Sequence, residues 1–122
     1  MSLRLAVVSA LALLASAGVA EAACTYDIAK GLNASGAGIP YPGAEGRDWF
    51  AKKAPITVGG VAYEAYGLPR ELGPMDFQVL ERAGVYSGVM AFAEKGQPRE
   101  VVYLPVRAAD CSFQPYQKKQ GG

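Results

Sequence analysis

Histidine is absent from the 122-residue chain, and cysteine and tryptophan are scarce, with two and one respectively. Without imidazole there is no ordinary general base near neutral pH. Ser-His-Asp and Cys-His nucleophiles are excluded for the same reason, and two distant cysteines do not make a zinc site. The glycines form neither a GxGxxG nor a GxxxxGK phosphate loop. The carboxylates, from Asp27 to Asp110, are scattered, with no spacing that demands an acid–base pair. Charge of one sign is also lacking. Twelve Lys and Arg oppose eleven Asp and Glu, a formal net charge of +1, which leaves no footprint for nucleic acid or an anionic membrane. The expectation is a chain that is not an enzyme and uses no cofactor, metal or nucleic acid.

Long apolar runs are missing except at the start. Arg4 is followed by an uncharged stretch from Leu5 to Ala20, about 16 residues, which ends in the small-x-small step Ala20-Glu21-Ala22. A positive start, an apolar middle and a small-residue exit describe a secretory signal over residues 1–22. The run falls short of the roughly 20 residues that span a bilayer as a helix. A lipid-anchor reading of Cys24 would need an apolar residue where Glu21 stands. Residues 23–122 are then expected to form one small β-rich domain in the periplasm or outside the cell, with no membrane span. Residues 23–46 are a Gly/Pro-rich N-terminal segment of that domain, and residues 117–122 a flexible tail.

Cys24 and Cys111 stand near the two ends of that domain, and an exported location permits their oxidation. A disulfide between them closes nearly the whole domain and restricts the unfolded chain. No CxxC is present, so thiol exchange has no support.

Along the mature chain, a short strand or helical turn is expected at residues 25–30, followed by loop through 46. Trp49, Phe50 and Lys53 fit a short helix that Pro55 stops, with Trp49 as a core plug. From Ile56 onward the pattern reads as strands. Val61, Tyr63 and Ala65 alternate with Ala62, Glu64 and Tyr66, and Gly59-Gly60 marks a bulge or a tight turn before them. Residues 67–73 read as a connection, 77–81 as a strand and Arg82-Ala83-Gly84 as a turn. Val85 to Ala93 is the clearest strand. A polar hairpin loop at 94–98 leads to a strand over 99–106 that Pro105 ends or confines to an edge, and a last strand reaches Tyr116. The fold expected is mainly β: a small antiparallel meander or half-barrel with one short helix, closed by the terminal disulfide.

Tyrosine is what the chain has in quantity, seven in all. Its ring and polar tip suit protein interfaces. Four residues are candidates for partner binding. Tyr66 and Arg70 share the stiff loop Tyr66-Gly67-Leu68-Pro69-Arg70. Tyr86 lies in Tyr86-Ser87-Gly88, and Tyr116 lies in the segment tethered by Cys111.

The layout of signal, small β domain and end-to-end disulfide is similar to that of many periplasmic inhibitor and immunity proteins, and of small accessory subunits of envelope complexes. Tyr86-Ser87-Gly88 resembles the Ser-Gly strand motif of membrane-bound inhibitors of c-type lysozyme. The resemblance covers three residues and lacks that family's further cysteine. It implies a module that binds another envelope or secreted protein, of the inhibitor or immunity type. A structural or accessory subunit of an envelope assembly is the alternative.

Overall fold

The computed structural model describes residues 24–27, 31–33 and 41–120. The expected export signal lies outside the described residues. Among the described residues, nine strands and two short helices follow in order: β1 (Thr25–Asp27), β2 (Gly31–Asn33), α1 (Asp48–Ala51), β3 (Ile56–Val58), β4 (Val61–Ala65), β5 (Arg70–Glu71), α2 (Pro74–Val79), β6 (Leu80–Tyr86), β7 (Val89–Glu94), β8 (Val101–Arg107) and β9 (Ser112–Lys118). β1 and β2 form a small hairpin. The other seven make one antiparallel sheet in the order β3-β4-β9-β8-β7-β6, with β5 added to β9 at Phe113 and Ser112. The sheet curls into a half-barrel, so the mainly-β expectation and the terminal disulfide both hold.

The sheet is packed on both faces. Ile56, Val58, Tyr63, Val89, Ala91, Ala93, Val102, Leu104 and Tyr116 form one cluster, joined by Trp49, Ala83 and Tyr86. Residues of both terminal strands, β3 and β6, meet in it, which marks it as the concave side. On the convex side Leu72, Phe77, Leu80, Phe92 and Phe113 pack beneath Leu32 and Tyr41, with the Cys24–Cys111 disulfide among them. Alternation along β7 explains the split. Phe92 faces outward into one core while Ala91 and Ala93 face inward into the other.

Several expectations change. Val85 to Ala93 is not one strand. Tyr86 pairs with Val89, and Ser87 and Gly88 between them have φ of 51° and 80°. Positive φ at both central residues is the two-residue hairpin turn that matches strand twist. The apolar residues on either side hid this break. Arg82-Ala83-Gly84 does not turn the chain. It is an interior stretch of β6, and a bulge between Arg82 and Gly84 absorbs the irregularity.

Residues 77–81 are not a strand throughout, because a second helix occupies Pro74–Val79. Pro74 stands at its first position, and Asp76 Oδ2 accepts the Gly73 N–H at 2.8 Å, two helix-start features that outweigh the alternation of Phe77, Val79 and Glu81. Pro105 is neither at a strand end nor on an edge. β8 lies between β7 and β9, with a bulge between Pro105 and Arg107. β7 and β8 pair at Phe92 and Tyr103, away from Pro105, and the Pro105 carbonyl accepts the Ala44 N–H at 2.8 Å, so the side of Pro105 that lacks an N–H meets segment 44–45. β2 lies in a stretch expected to be loop, and β9 includes Gln117 and Lys118, which the sequence assigns to the tail.

Candidate functional site

The loop from Tyr66 to Arg70 is anchored from beneath by a residue that sequence reasoning passed over. Gln114 is buried on β9, and its amide nitrogen lies within 3.3 Å of the Tyr66 carbonyl, 3.2 Å of the Gly67 carbonyl and 2.9 Å of the Pro115 carbonyl. The Tyr66 N–H donates to the Pro115 carbonyl at 3.1 Å. Pro69 adds its fixed φ. At the far end β5 pairs with β9, and the Leu72 N–H donates to the Cys111 carbonyl at 2.9 Å. Both ends of the loop therefore rest on β9 and on the turn that carries the disulfide.

The side chains on this loop point outward. Tyr66 is 49% exposed and Leu68 78%. Arg70 is exposed, but it is not free to wander. Its Nη2 donates to the Tyr103 hydroxyl at 2.9 Å, and the guanidinium carbon lies 5.4 Å from the centre of the Tyr103 ring. A cation over an aromatic face at an exposed site contributes roughly 0.5–1 kcal/mol, enough to bias its orientation. Leu72, Asp76, Val79, Leu80 and Glu94 join Arg70 and Tyr103 around a small cleft of about 40 Å³. The cleft connects the loop to α2. Met75 and Val79 are one helical turn apart on α2 and are 78% and 52% exposed, while Phe77 of the same helix is buried. Tyr103 and Glu94 also border a wider cleft of about 300 Å³ with Gln97, Pro98, Glu100 and Val101.

The four candidates from sequence do not form one patch. Tyr66 and Arg70 lie on the same loop. Tyr86 sits on the concave side, half-buried, with its ring edge-on to Trp49 at 4.9 Å. Tyr103, the partner of Arg70, packs on the convex side. Tyr116 has no exposed surface, so its ring is not available to a partner, and burial followed by the neighbouring Tyr86 pushes its hydroxyl up to about 12. Its position on the inward face of β9, two residues from Gln114, accounts for the difference. Tyr103, Met75 and Val79 were missed as surface residues. Strand periodicity puts Tyr103 in β8 but says nothing of the arginine above it. The exposure of Met75 and Val79 follows from the helix that the alternation concealed.

A separate charged cluster has a structural role. Arg107 Nη1 donates to Glu45 Oε2 at 2.6 Å and its Nη2 to Asp110 Oδ2 at 3.0 Å. The hydrogen bond from Arg107 holds the Asp110 carboxyl below its usual range. Together with the Ala44 N–H on the Pro105 carbonyl at 2.8 Å, this ties segment 44–45 to β8. Among the described residues no group of three or more His, Cys, Asp or Glu is arranged to hold a metal ion. Among them, too, no helix is long and apolar enough to cross a membrane.

Comparison with protein-family models, with curated proteins and with solved structures finds no match for this chain.

Proposed function

We propose that the chain is an exported protein-binding module of the inhibitor or immunity type, acting in the periplasm or outside the cell. Its partner surface is the face built from Tyr66, Leu68, Arg70, Met75 and Val79. The observation that carries the reading is the pre-set arginine. Arg70 is exposed, shares its loop with the exposed Tyr66 and Leu68 and a small cleft with Val79, and is oriented by Tyr103. An arginine already oriented loses less entropy on binding and offers a planar fork to carboxylates or carbonyls. Tyr and Arg among apolar neighbours is the composition of interface hot spots.

The test is recovery of a stoichiometric enzyme or toxin partner from a gently prepared envelope extract, followed by titration of that partner with the Arg70→Ala variant. Affinity is expected to fall by about 2 kcal/mol. The melting midpoint is expected to change little, by about 1 kcal/mol or less, from loss of the Tyr103 contact. Equal affinity for variant and parent would remove Arg70 from the binding surface. Recovery of the protein without any partner would remove the function.

A further inference from the structure

Between β4 and β5 the chain bulges away from β9. Ala65 pairs with Tyr116 and Arg70 with Phe113, so residues 66–69 stand opposite Gln114 and Pro115 alone. Tyr66 continues the β4 ladder by one step, because its N–H donates to the Pro115 carbonyl at 3.1 Å. In an antiparallel pair such a bond is one of two, the second running from the partner's N–H back to the first carbonyl. Proline has no N–H, so the residue type at 115 denies the Tyr66 carbonyl its ladder donor.

Gln114 supplies that donor from its side chain. Its Nε2 lies 3.3 Å from the Tyr66 carbonyl oxygen, 3.2 Å from that of Gly67 and 2.9 Å from that of Pro115. A side-chain amide has two N–H groups, fewer than the three carbonyls around this one. The Pro115 carbonyl already holds the Tyr66 N–H. Among the described residues the Tyr66 and Gly67 carbonyls accept from Gln114 alone. Gln114 is itself buried, while the side chains of Tyr66 and Leu68 face solvent. The residue that braces the loop is thus hidden from a partner, and the residues it braces are open to one.

We propose that Gln114 is a positioning residue for the partner surface: its amide replaces the N–H that Pro115 lacks, and by holding the 66–70 loop in place before a partner arrives it sets the affinity of that surface. The inference rests on the reading of the Tyr66 and Arg70 face as the binding surface. A loop that is loose when free must be ordered on binding, and that entropy cost subtracts from affinity.

Nitrogen relaxation of the free, oxidised protein tests the positioning without a partner. Gln114→Met keeps the length of the side chain and removes both donors. The backbone order parameters of Gly67 and Leu68 are expected to fall from about 0.85 to below about 0.6. Pro115→Ala in that background returns an N–H to position 115 and should restore most of the order, which a mere packing role for Gln114 would not do. If Gln114→Met alone fails to fold, a folded and ordered double variant carries the same meaning, and failure of both would show that Gln114 serves packing instead. Against the partner, Gln114→Met should weaken binding roughly three- to tenfold, the cost of ordering one or two side chains, and the double variant should bind nearly as the parent does. Unchanged order parameters, or a loosened loop that Pro115→Ala does not rescue, would overturn the proposal. So would a loosened loop with parental affinity while Arg70→Ala still weakens binding. Parental affinity for both Gln114→Met and Arg70→Ala would remove the face itself, and the proposal with it.

Discussion

Gly84 on β6 lies so close to Val58 on β3 that a Cβ at position 84 would stand 2.9 Å from the valine Cγ1. The missing side chain is what lets the two terminal strands approach and the sheet curl. Gly84→Ala is therefore expected to destabilise the fold by about 1–3 kcal/mol through overpacking. Val58→Ala removes the methyl group that is struck. The double variant should be less damaged than the two single losses combined, by roughly 0.5 kcal/mol or more. Urea unfolding of the four proteins measures this, and strict additivity would mean that this contact is relieved elsewhere.

The disulfide joins residues 87 apart in sequence and ties the first described strand to the β8–β9 turn. Replacing Cys24 and Cys111 together by alanine should lower stability by about 2–5 kcal/mol. In a domain of this size each kcal/mol moves the midpoint by roughly 4–8 °C, so the drop should reach about 10 °C or more. Reductant should lower the parent's midpoint and leave the double variant unmoved. A parent insensitive to reductant would show that the bond adds nothing to stability.

Tyr116 is buried with its hydroxyl unpartnered, and burial pushes it up to about 12 from an ordinary value of 10.0. The folded chain keeps this proton at pH values where the unfolded chain has released it. Stability from this group is thus complete below about pH 10 and is lost as pH rises toward 12. Tyr116→Phe should flatten that part of the stability–pH curve. At pH 7 it should cost little or even stabilise, because an unsatisfied buried hydroxyl carries a desolvation penalty of about 1–3 kcal/mol. Guanidinium midpoints at pH 7 and pH 10.5 separate the two effects. A large loss at pH 7 would mean that the hydroxyl has a partner.

The parts of this fold legible in the sequence were those set by local chemistry. The Gly59-Gly60 turn, the 94–98 hairpin loop, the helix around Trp49 and Phe50, and the alternation of β4 all follow from residue type and spacing. Apart from the Cys24–Cys111 disulfide, long-range relations were not legible. Nothing in the Gly/Pro-rich stretch announces that β2 pairs with β1, and nothing near Gln114 announces that its amide braces a loop 48 residues earlier in the chain. At the candidate site, Arg70 and Tyr66 could be chosen because a Pro-stiffened loop between strands is commonly exposed. Tyr103 could not, since its contact with Arg70 depends on how β5 and β8 lie across β9.

The hairpin hidden within Val85 to Ala93 gives a test in which strand and turn make opposite demands. Ser87 has φ of 51°, and its carbonyl accepts Arg47 Nη1 at 3.0 Å. That bond uses the backbone, so it survives a change of side chain. In a continuous strand a β-branched residue at 87 would be favoured. At positive φ such a residue is strained, whereas asparagine tolerates the left-handed region and is preferred in this turn type. Ser87→Asn is expected to stabilise by a few tenths to about 1 kcal/mol, in line with the gain from matching a residue to its native φ and ψ. Ser87→Val should destabilise by about 1–3 kcal/mol, the range for a residue held in a sparsely populated backbone region. Both substitutions are exposed, so core packing does not confuse the comparison. Thermal melts of the two variants beside the parent rank them directly. Valine above asparagine would restore the single strand and remove the turn that lets β6 fold back onto β7.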